Sequence, residues 1–282
     1  MIQIRTSNLV ELVQNHFDKL KSKIEDNFPK DCKYTLETIL KAKPKTLDEI
    51  AKWFDTLNKD EQIKYKYINT SGYSNFSKKE KEYNAYDLTK SLNISACPYC
   101  NRNYTFTVIN EKELLRPDID HFYSKSLYPI LALSFYNLIP SCIECNRTLK
   151  RTIEFNVHTH LHPYLDDFNS SARFNYKYIS TDEIEIELKT EDSKTKKNIK
   201  DLKLEEIYNE GYTDIVQDLI EKAEIYNESY IDELYTQYEG TLFKNREDLL
   251  RHIIGGDIND EDIDKRPLSK LIKDISEELE LI

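Results

Sequence analysis

Residues 116–150 read RPDIDHFYSKSLYPILALSFYNLIPSCIECNRTLK, and just upstream residues 97–100 read CPYC. Cys97-Pro-Tyr-Cys100 and Cys142-Ile-Glu-Cys145 each bring two sulfurs to one side of a tight turn. Four thiolates complete a tetrahedral zinc shell and leave no position open for water, so such a site staples a fold and performs no chemistry. The plainer alternative is four buried thiols packing as small apolar groups. A redox dithiol fits less well, since neither pair lies in a βαβ pattern. The fifth cysteine, Cys32, has no partner in the pattern.

Between the pairs lie residue types suited to phosphodiester chemistry. Such a reaction needs a base to activate water and a divalent cation to take charge on the phosphate and leaving oxygen. His121, with an ordinary pKa of ~6.5, suits the first task. The oxygens of Asp120 and Asn146 suit a hard cation such as Mg²⁺ or Mn²⁺. Each also has an ordinary structural role open to it. His121 ends an expected strand, Asn137 stands where it can set a turn, and Asn146 stands where it can cap a helix. Their joint order around two C-x-x-C pairs gives the catalytic reading its weight.

That order, C-x-x-C, D-H, a proline, Asn-Leu, then C-x-x-C-N-x-x-x-K over Cys97–Arg151, resembles the HNH (ββα-metal) endonuclease family. The resemblance implies His121 as general base, Asp120 and Asn146 as ligands of a catalytic Mg²⁺ or Mn²⁺, and Asn137 as a loop brace. It also implies Cys97, Cys100, Cys142 and Cys145 as a structural zinc site. A wider gap than usual between the Cys pairs leaves Asp118 an alternative to Asp120, which adjoins His121. Arg102, Arg147, Lys150 and Arg151 are candidates to hold flanking phosphates, with a solvated surface role as the alternative.

Outward from this core the chain reads as helical. Leu9, Leu12, Val13, Phe17, Leu20 and Ile24 recur at helical spacing over 8–27. Thr46-x-x-Glu49 and Ser77-x-x-Glu80 have the pattern of capping boxes, the second opening a helix to about Ser91. Asn103–Ile109 and Leu114–Asp120 are expected to form a hairpin, followed by a strand-like NLIPS and a short helix over Cys142–Arg151. A second hairpin is expected over Arg173–Ser180 and Glu183–Lys189. Helices resume from Leu202, broken near Gly211; another ends at Gly255-Gly256 and the last follows Pro267. The alternating His158, His160 and His162 would share one face of a strand, giving either a second metal site or a polar strand edge. The expected class is α+β: a helical region 1–95, a zinc-stapled nuclease core 96–165 and an acidic, mostly helical region 166–282.

Of 282 residues, 39% are hydrophobic and 32% charged, and 20 Tyr with 11 Phe argue against disorder. Residues 1–163 carry 24 Lys+Arg against 20 Asp+Glu, a net charge of +4, while residues 164–282 carry 16 against 31, a net −15. A polyanion is therefore expected on the first part only. The uncharged run Ser126–Ile143 contains Pro129 and Pro140, so a buried strand and turn is expected there, not a membrane span. No secretory signal is recognisable, and paired reduced thiols fit a cytoplasmic protein.

More loosely, the CPYCNR opening, the His162-Pro163-Tyr164 tail and the helical C-terminal segment resemble HNH subunits of Septu-type anti-phage systems and some retron effectors. That resemblance implies DNA cleavage beside a separate ATPase subunit, since no Walker A motif is present here. The acidic helices would then dock on the partner or restrain the nuclease, and removing 202–282 is expected to disturb regulation more than metal content. Competing expectations are a zinc-dependent nucleic-acid-binding or scaffold module without catalysis, or a nuclease acting on RNA.

Overall fold

A computed structural model describes residues 2–78, 82–110, 115–181 and 183–282 of the chain. The N-terminal helix spans Leu9–Ile24 and turns Val13, His16, Phe17, Leu20 and Ile24 inward. The next long helix is Pro44–Asp55, with the ring at the first turn and no side-chain cap on Lys43. The expected Thr46–Glu49 capping box therefore lies inside the helix. Proline starts it two residues earlier, because its fixed φ suits the first turn and its missing N–H costs nothing there.

Of the second expected box, Glu80 lies outside the described residues. The helix that follows spans Ala85–Leu92, capped reciprocally by Asn84 and Asp87 and closed by Asn93 in the left-handed conformation at φ 51°.

The first expected hairpin is present as one antiparallel bridge, Val108 to Leu115, and Leu114 of its return strand lies outside the described residues. Tyr104 bridges Ala96 and Val108 bridges Leu115, each as an isolated contact. The regular strand β1 is Asp118–His121, and its partner is β2, Leu138–Ser141, in an antiparallel pair. Pro117 accounts for the difference, since it lacks an N–H and interrupts any ladder continuing from Leu115. In register, Asp118 faces Ser141, Ile119 faces Pro140, Asp120 faces Ile139 and His121 faces Leu138. Pro140 is tolerated because a two-stranded sheet leaves it an unpaired edge.

The β1–β2 connection is exposed at Ser126 and Leu127 and then buried through single 3-10 turns at Pro129–Leu131 and Phe135–Asn137. Directly after β2, a π-helical segment covers Glu144–Lys150. The order around the cysteines is thus strand, buried loop, strand, helix.

The second hairpin forms as expected: β3, Arg173–Ser180, pairs antiparallel with β4, Glu183–Lys189. Helices then cover Ser193–Asp201, Leu204–Gly211, Thr213–Ile225, Glu228–Tyr238, Arg246–Ile254 and Ser269–Glu278. Gly255, at φ 79°, closes the fifth of these in a conformation that costs glycine little. The class is α+β, with two small sheets among the described residues. No helix of the described residues is long and apolar enough to cross a membrane.

One core runs through most of this. Buried residues from Ile4 and Leu20, through Tyr99, Phe122 and Leu138, to Leu204, Tyr208 and Leu281 form a single cluster. A smaller one joins Ile231, Leu249, Leu250 and Ile253. The acidic C-terminal helices are therefore walls of the cysteine region, not appendages to it.

Candidate metal centre and catalytic site

The CPYC turn is held from both ends of the chain. Ile2 N–H donates to the Pro98 carbonyl at 2.7 Å, and Ala96 N–H to Asp264 at 2.9 Å. Asn101 takes a left-handed φ of 53°. Its amide donates to the Ile263 carbonyl at 3.0 Å and accepts from Lys270 N–H at 3.0 Å. The Tyr208 hydroxyl donates to the Cys100 carbonyl at 2.7 Å. The second cysteine pair comes from the end of β2 and the start of the π-helical segment.

All four Sγ atoms of Cys97, Cys100, Cys142 and Cys145 lie within 4.8 Å of one another, and all four residues are buried. The Cys100 and Cys142 sulfurs are 3.9 Å apart. A tetrahedral ion with metal–sulfur bonds of ~2.3 Å requires ~3.8 Å between sulfurs. Donor type, number and spacing fit a structural ion such as zinc. Two backbone N–H groups already point at the sulfurs, Cys142 at Cys97 Sγ and Cys145 at Cys142 Sγ, both at 3.4 Å. Without a cation, four sulfurs this close cannot all ionise. Burial raises the Cys97 thiol well above its usual value. Burial also raises Cys100, but hydrogen bonds with Cys142 and Cys145 outweigh it and hold Cys100 well below. A divalent ion removes that conflict by favouring four thiolates.

Arg102 is part of this centre. Burial works against its charge, but Cys100 and a hydrogen bond to Tyr212 raise its pKa. A guanidinium there offsets charge on the cysteine sulfurs.

The oxygen donors divide into two unlike pairs on one face of β1. Asp120, 5% exposed, accepts from the Tyr99 hydroxyl at 2.6 Å and from Lys150 Nζ at 2.9 Å. Lys150, 4% exposed, also donates to the His121 carbonyl at 2.6 Å. Lys150 is therefore no surface phosphate contact, because its ammonium is committed inside the protein. Two residues earlier on the same face, Asp118 accepts from Asn146 Nδ2 at 3.1 Å and bidentately from Arg147 at 2.6 and 2.7 Å. The Arg147 side chain is 67% exposed, so that pair faces water. Arg151 is exposed just past the helix, at φ 43°.

These environments decide which carboxylate suits a divalent cation. An ion on Asp120 would meet the buried Lys150 ammonium at the same oxygens and could not displace it cheaply. An ion on Asp118 has to displace the bidentate but exposed Arg147 and needs the Asn146 amide, whose nitrogen now faces Asp118, to turn its oxygen inward. Asp118 is thus the more accessible carboxylate of the two, while Asp120 is engaged by the buried Lys150.

His121 is 6% exposed and its Nε2 lies 3.0 Å from the Ala132 carbonyl. A carbonyl only accepts, so Nε2 carries the proton and Nδ1 keeps the lone pair. Burial, then Lys125, hold its pKa well below the usual value, so the ring is neutral at pH 7. Its ring meets Tyr73 edge-on at 4.4 Å between centroids. The Lys125 ammonium lies 3.9 Å from the Tyr73 ring centre. Burial pushes the Tyr73 hydroxyl up to about 12, with Arg116 opposing and Asp118 and Asp120 adding to the rise. Asn137 is fully buried and spans the β1–β2 loop: its amide donates to the Tyr123 and Leu131 carbonyls, both at 3.0 Å, and accepts from Tyr123 N–H at 2.7 Å.

The three alternating histidines lie in turns, not on a strand, and face different partners. His158 bonds Asp48 at 2.8 Å, His160 stacks on Phe155 at 3.7 Å and bonds Asp201, and His162 packs on Phe122 at 4.2 Å. They form no second metal site. Among the described residues, the four cysteines are the group of His, Cys, Asp or Glu arranged to hold an ion.

Sequence reading overlooked Tyr99, Lys125 and Tyr73. Tyr99 sits inside the CPYC turn and Lys125 four positions after His121, so proximity was a signal for both. Tyr73 arrives from the Ile68–Tyr73 π-helical segment, for which the local sequence holds no clue. Compared with models of known protein families, with curated proteins and with solved structures, the chain matches none.

Proposed function

We propose that this chain is a cation-dependent endonuclease of the HNH, or ββα-metal, kind that hydrolyses phosphodiester bonds of DNA. The observation that carries the reading is the pairing of Asp118 with Asn146 at 3.1 Å, with a neutral, oriented His121 three residues further along the same strand. In this reading His121 Nδ1 takes a proton from water. The water oxygen bonds to phosphorus as the bond to the 3′ oxygen breaks, and that oxygen leaves with a proton from solvent. Asp118 and Asn146 would hold the cation, which when bound supplies neutralisation of charge on the phosphate and departing oxygen. Lys125 and Arg116, both half-buried near Tyr73, are the cations best placed for the phosphate, with Arg147 once it leaves Asp118. Asp120 and Lys150 act one step back, fixing β1 to the helix.

A role as the nuclease effector of an anti-phage system, beside a separate ATPase, extends this proposal on the strength of the sequence layout. A non-catalytic zinc module is the competing reading, favoured by the commitment of Asp120 to Lys150. Zinc-loaded protein should therefore be tested for Mn²⁺ binding and for cleavage of plasmid, single-stranded DNA and RNA. Asp118→Asn should lose Mn²⁺ binding and cleavage together. Asp120→Asn should keep Mn²⁺ binding. Retained Mn²⁺ binding and cleavage in Asp118→Asn would reject the assignment, and no cleavage of any substrate with Mn²⁺ bound would favour the non-catalytic module.

A further inference from the structure

A cavity of about 720 Å³ opens between the Leu9–Ile24 helix and the Ile68–Tyr73 segment. That volume falls in the range of small-molecule sites. Leu20, Ile24 and Phe76 line it with apolar surface, and Lys23, Asn27 and Asn75 stand around it. Lys23, Asn27 and Asn75 are exposed at its rim, Asn75 accepting from Lys78 at 3.5 Å, and the Tyr83 hydroxyl in the wall is taken by His16 at 3.0 Å. Apolar and aromatic walls with Lys23 at the exposed rim suit an aromatic group carrying a negative charge.

The floor of this cavity is joined to His121. Gly72 and Leu133 line it, packed so closely that a Cβ on Gly72 would lie 3.0 Å from Leu133 Cδ1. Gly72 precedes Tyr73, whose ring touches His121. Leu133 follows Ala132, whose carbonyl fixes the His121 tautomer. His16 also ties the Leu133 carbonyl at 2.9 Å. Each of two His121 contacts is thus one peptide bond from the cavity floor.

We infer that this cavity binds a small aromatic anion, and that its occupancy sets the placement of His121. The binding stands on the cavity alone; the consequence for cleavage rests on His121 being the base.

The test uses 1-anilinonaphthalene-8-sulfonate, a planar aromatic monoanion, with the full zinc-loaded chain. Fluorescence titration should give saturable binding at one site per chain. Asn75→Trp or Ser71→Tyr, both at exposed positions, should weaken it at least about ten-fold by filling the mouth. Lys23→Gln should weaken it about three- to ten-fold at low salt and less at high salt. With ¹⁵N-histidine labelling, probe binding should move the His121 ring resonances, identified by their loss in His121→Gln, and should not do so in Asn75→Trp. Far-UV circular dichroism and zinc content verify that each variant is folded. Binding unchanged in both mouth variants would overturn the site. Binding at the site with His121 resonances unmoved would overturn its link to the base. Neither readout requires cleavage, so failure here is distinct from failure of the nuclease reading.

Discussion

Replacing Lys150 with Met separates a buried structural cation from a surface phosphate contact. The Lys150 and Asp120 side chains are 5% and 7% exposed and lie 2.9 Å apart. Removing one partner of a buried pair leaves an uncompensated charge and costs about 3–5 kcal/mol. The His121 carbonyl also loses its 2.6 Å donor, worth roughly 1 kcal/mol. Domains of ordinary size have ~5–15 kcal/mol in total, so Lys150→Met should lower the urea midpoint sharply and in some conditions unfold the chain. Asp120→Asn combined with Lys150→Met should cost at least ~2 kcal/mol less than the sum of the single changes, because the double variant leaves no stranded charge. Urea unfolding followed by circular dichroism, with zinc content measured in parallel, supplies all the values. A loss under about 1 kcal/mol for Lys150→Met at full zinc content would refute the reasoning and return Lys150 to the phosphate-binding surface.

Cys142→Ser should abolish retention of one zinc per chain and unfold the protein, since structural zinc supplies about 10–16 kcal/mol of apparent binding free energy; elemental analysis and circular dichroism check this, and an unchanged zinc-free fold would contradict it. Deleting residues 202–282 removes Tyr208, Leu271 and Ile275 from the shared core, so it should cost zinc and solubility, contrary to the regulatory role expected from sequence; a folded, zinc-loaded 1–201 fragment would count against the single core. Burial lowers the pKa of His16 to about 4 and that of His162 to about 3, from 6.5. The unfolded chain therefore binds protons that the native state refuses, and stability present above pH 6.5 is lost as the pH falls from there toward those values. By pH 5 the loss should be roughly 2 kcal/mol from each; a urea midpoint unchanged between pH 7.5 and 5, or an unaltered slope in His16→Gln, would contradict it.

The cysteine centre was legible because its signal is local: two C-x-x-C turns need only a fold that brings them together. The β3–β4 hairpin and the Gly255 helix end were legible for the same reason, alternation and a left-handed cap being written within a few residues. The pairing of β1 was not, because Leu138–Ser141 lies beyond a buried loop, and the nearer Asn103–Ile109 has equal strand character. Pro117 was the clue that favoured the distant partner. Asp118 and Asp120 share a face of one strand and differ only in burial, a property conferred by Lys150 and Tyr99 from elsewhere in the chain. The alternating histidines show the reverse error: a period of two means a shared face only where the backbone is extended, and here the turns at Asn156–Thr159 and His162–Leu165 send each ring elsewhere.

The most direct test of the central claim compares cleavage of supercoiled plasmid, with Mg²⁺ or Mn²⁺, by the intact protein and by His121→Ala and His121→Gln. The glutamine variant keeps a donor for the Ala132 carbonyl but has no basic nitrogen, so it removes the base with the least disturbance of the loop. The account predicts cation-dependent nicking or linearisation by the intact protein and its loss in both variants, with fold and zinc content retained in His121→Gln. Cleavage by His121→Gln at the intact protein's rate would contradict it.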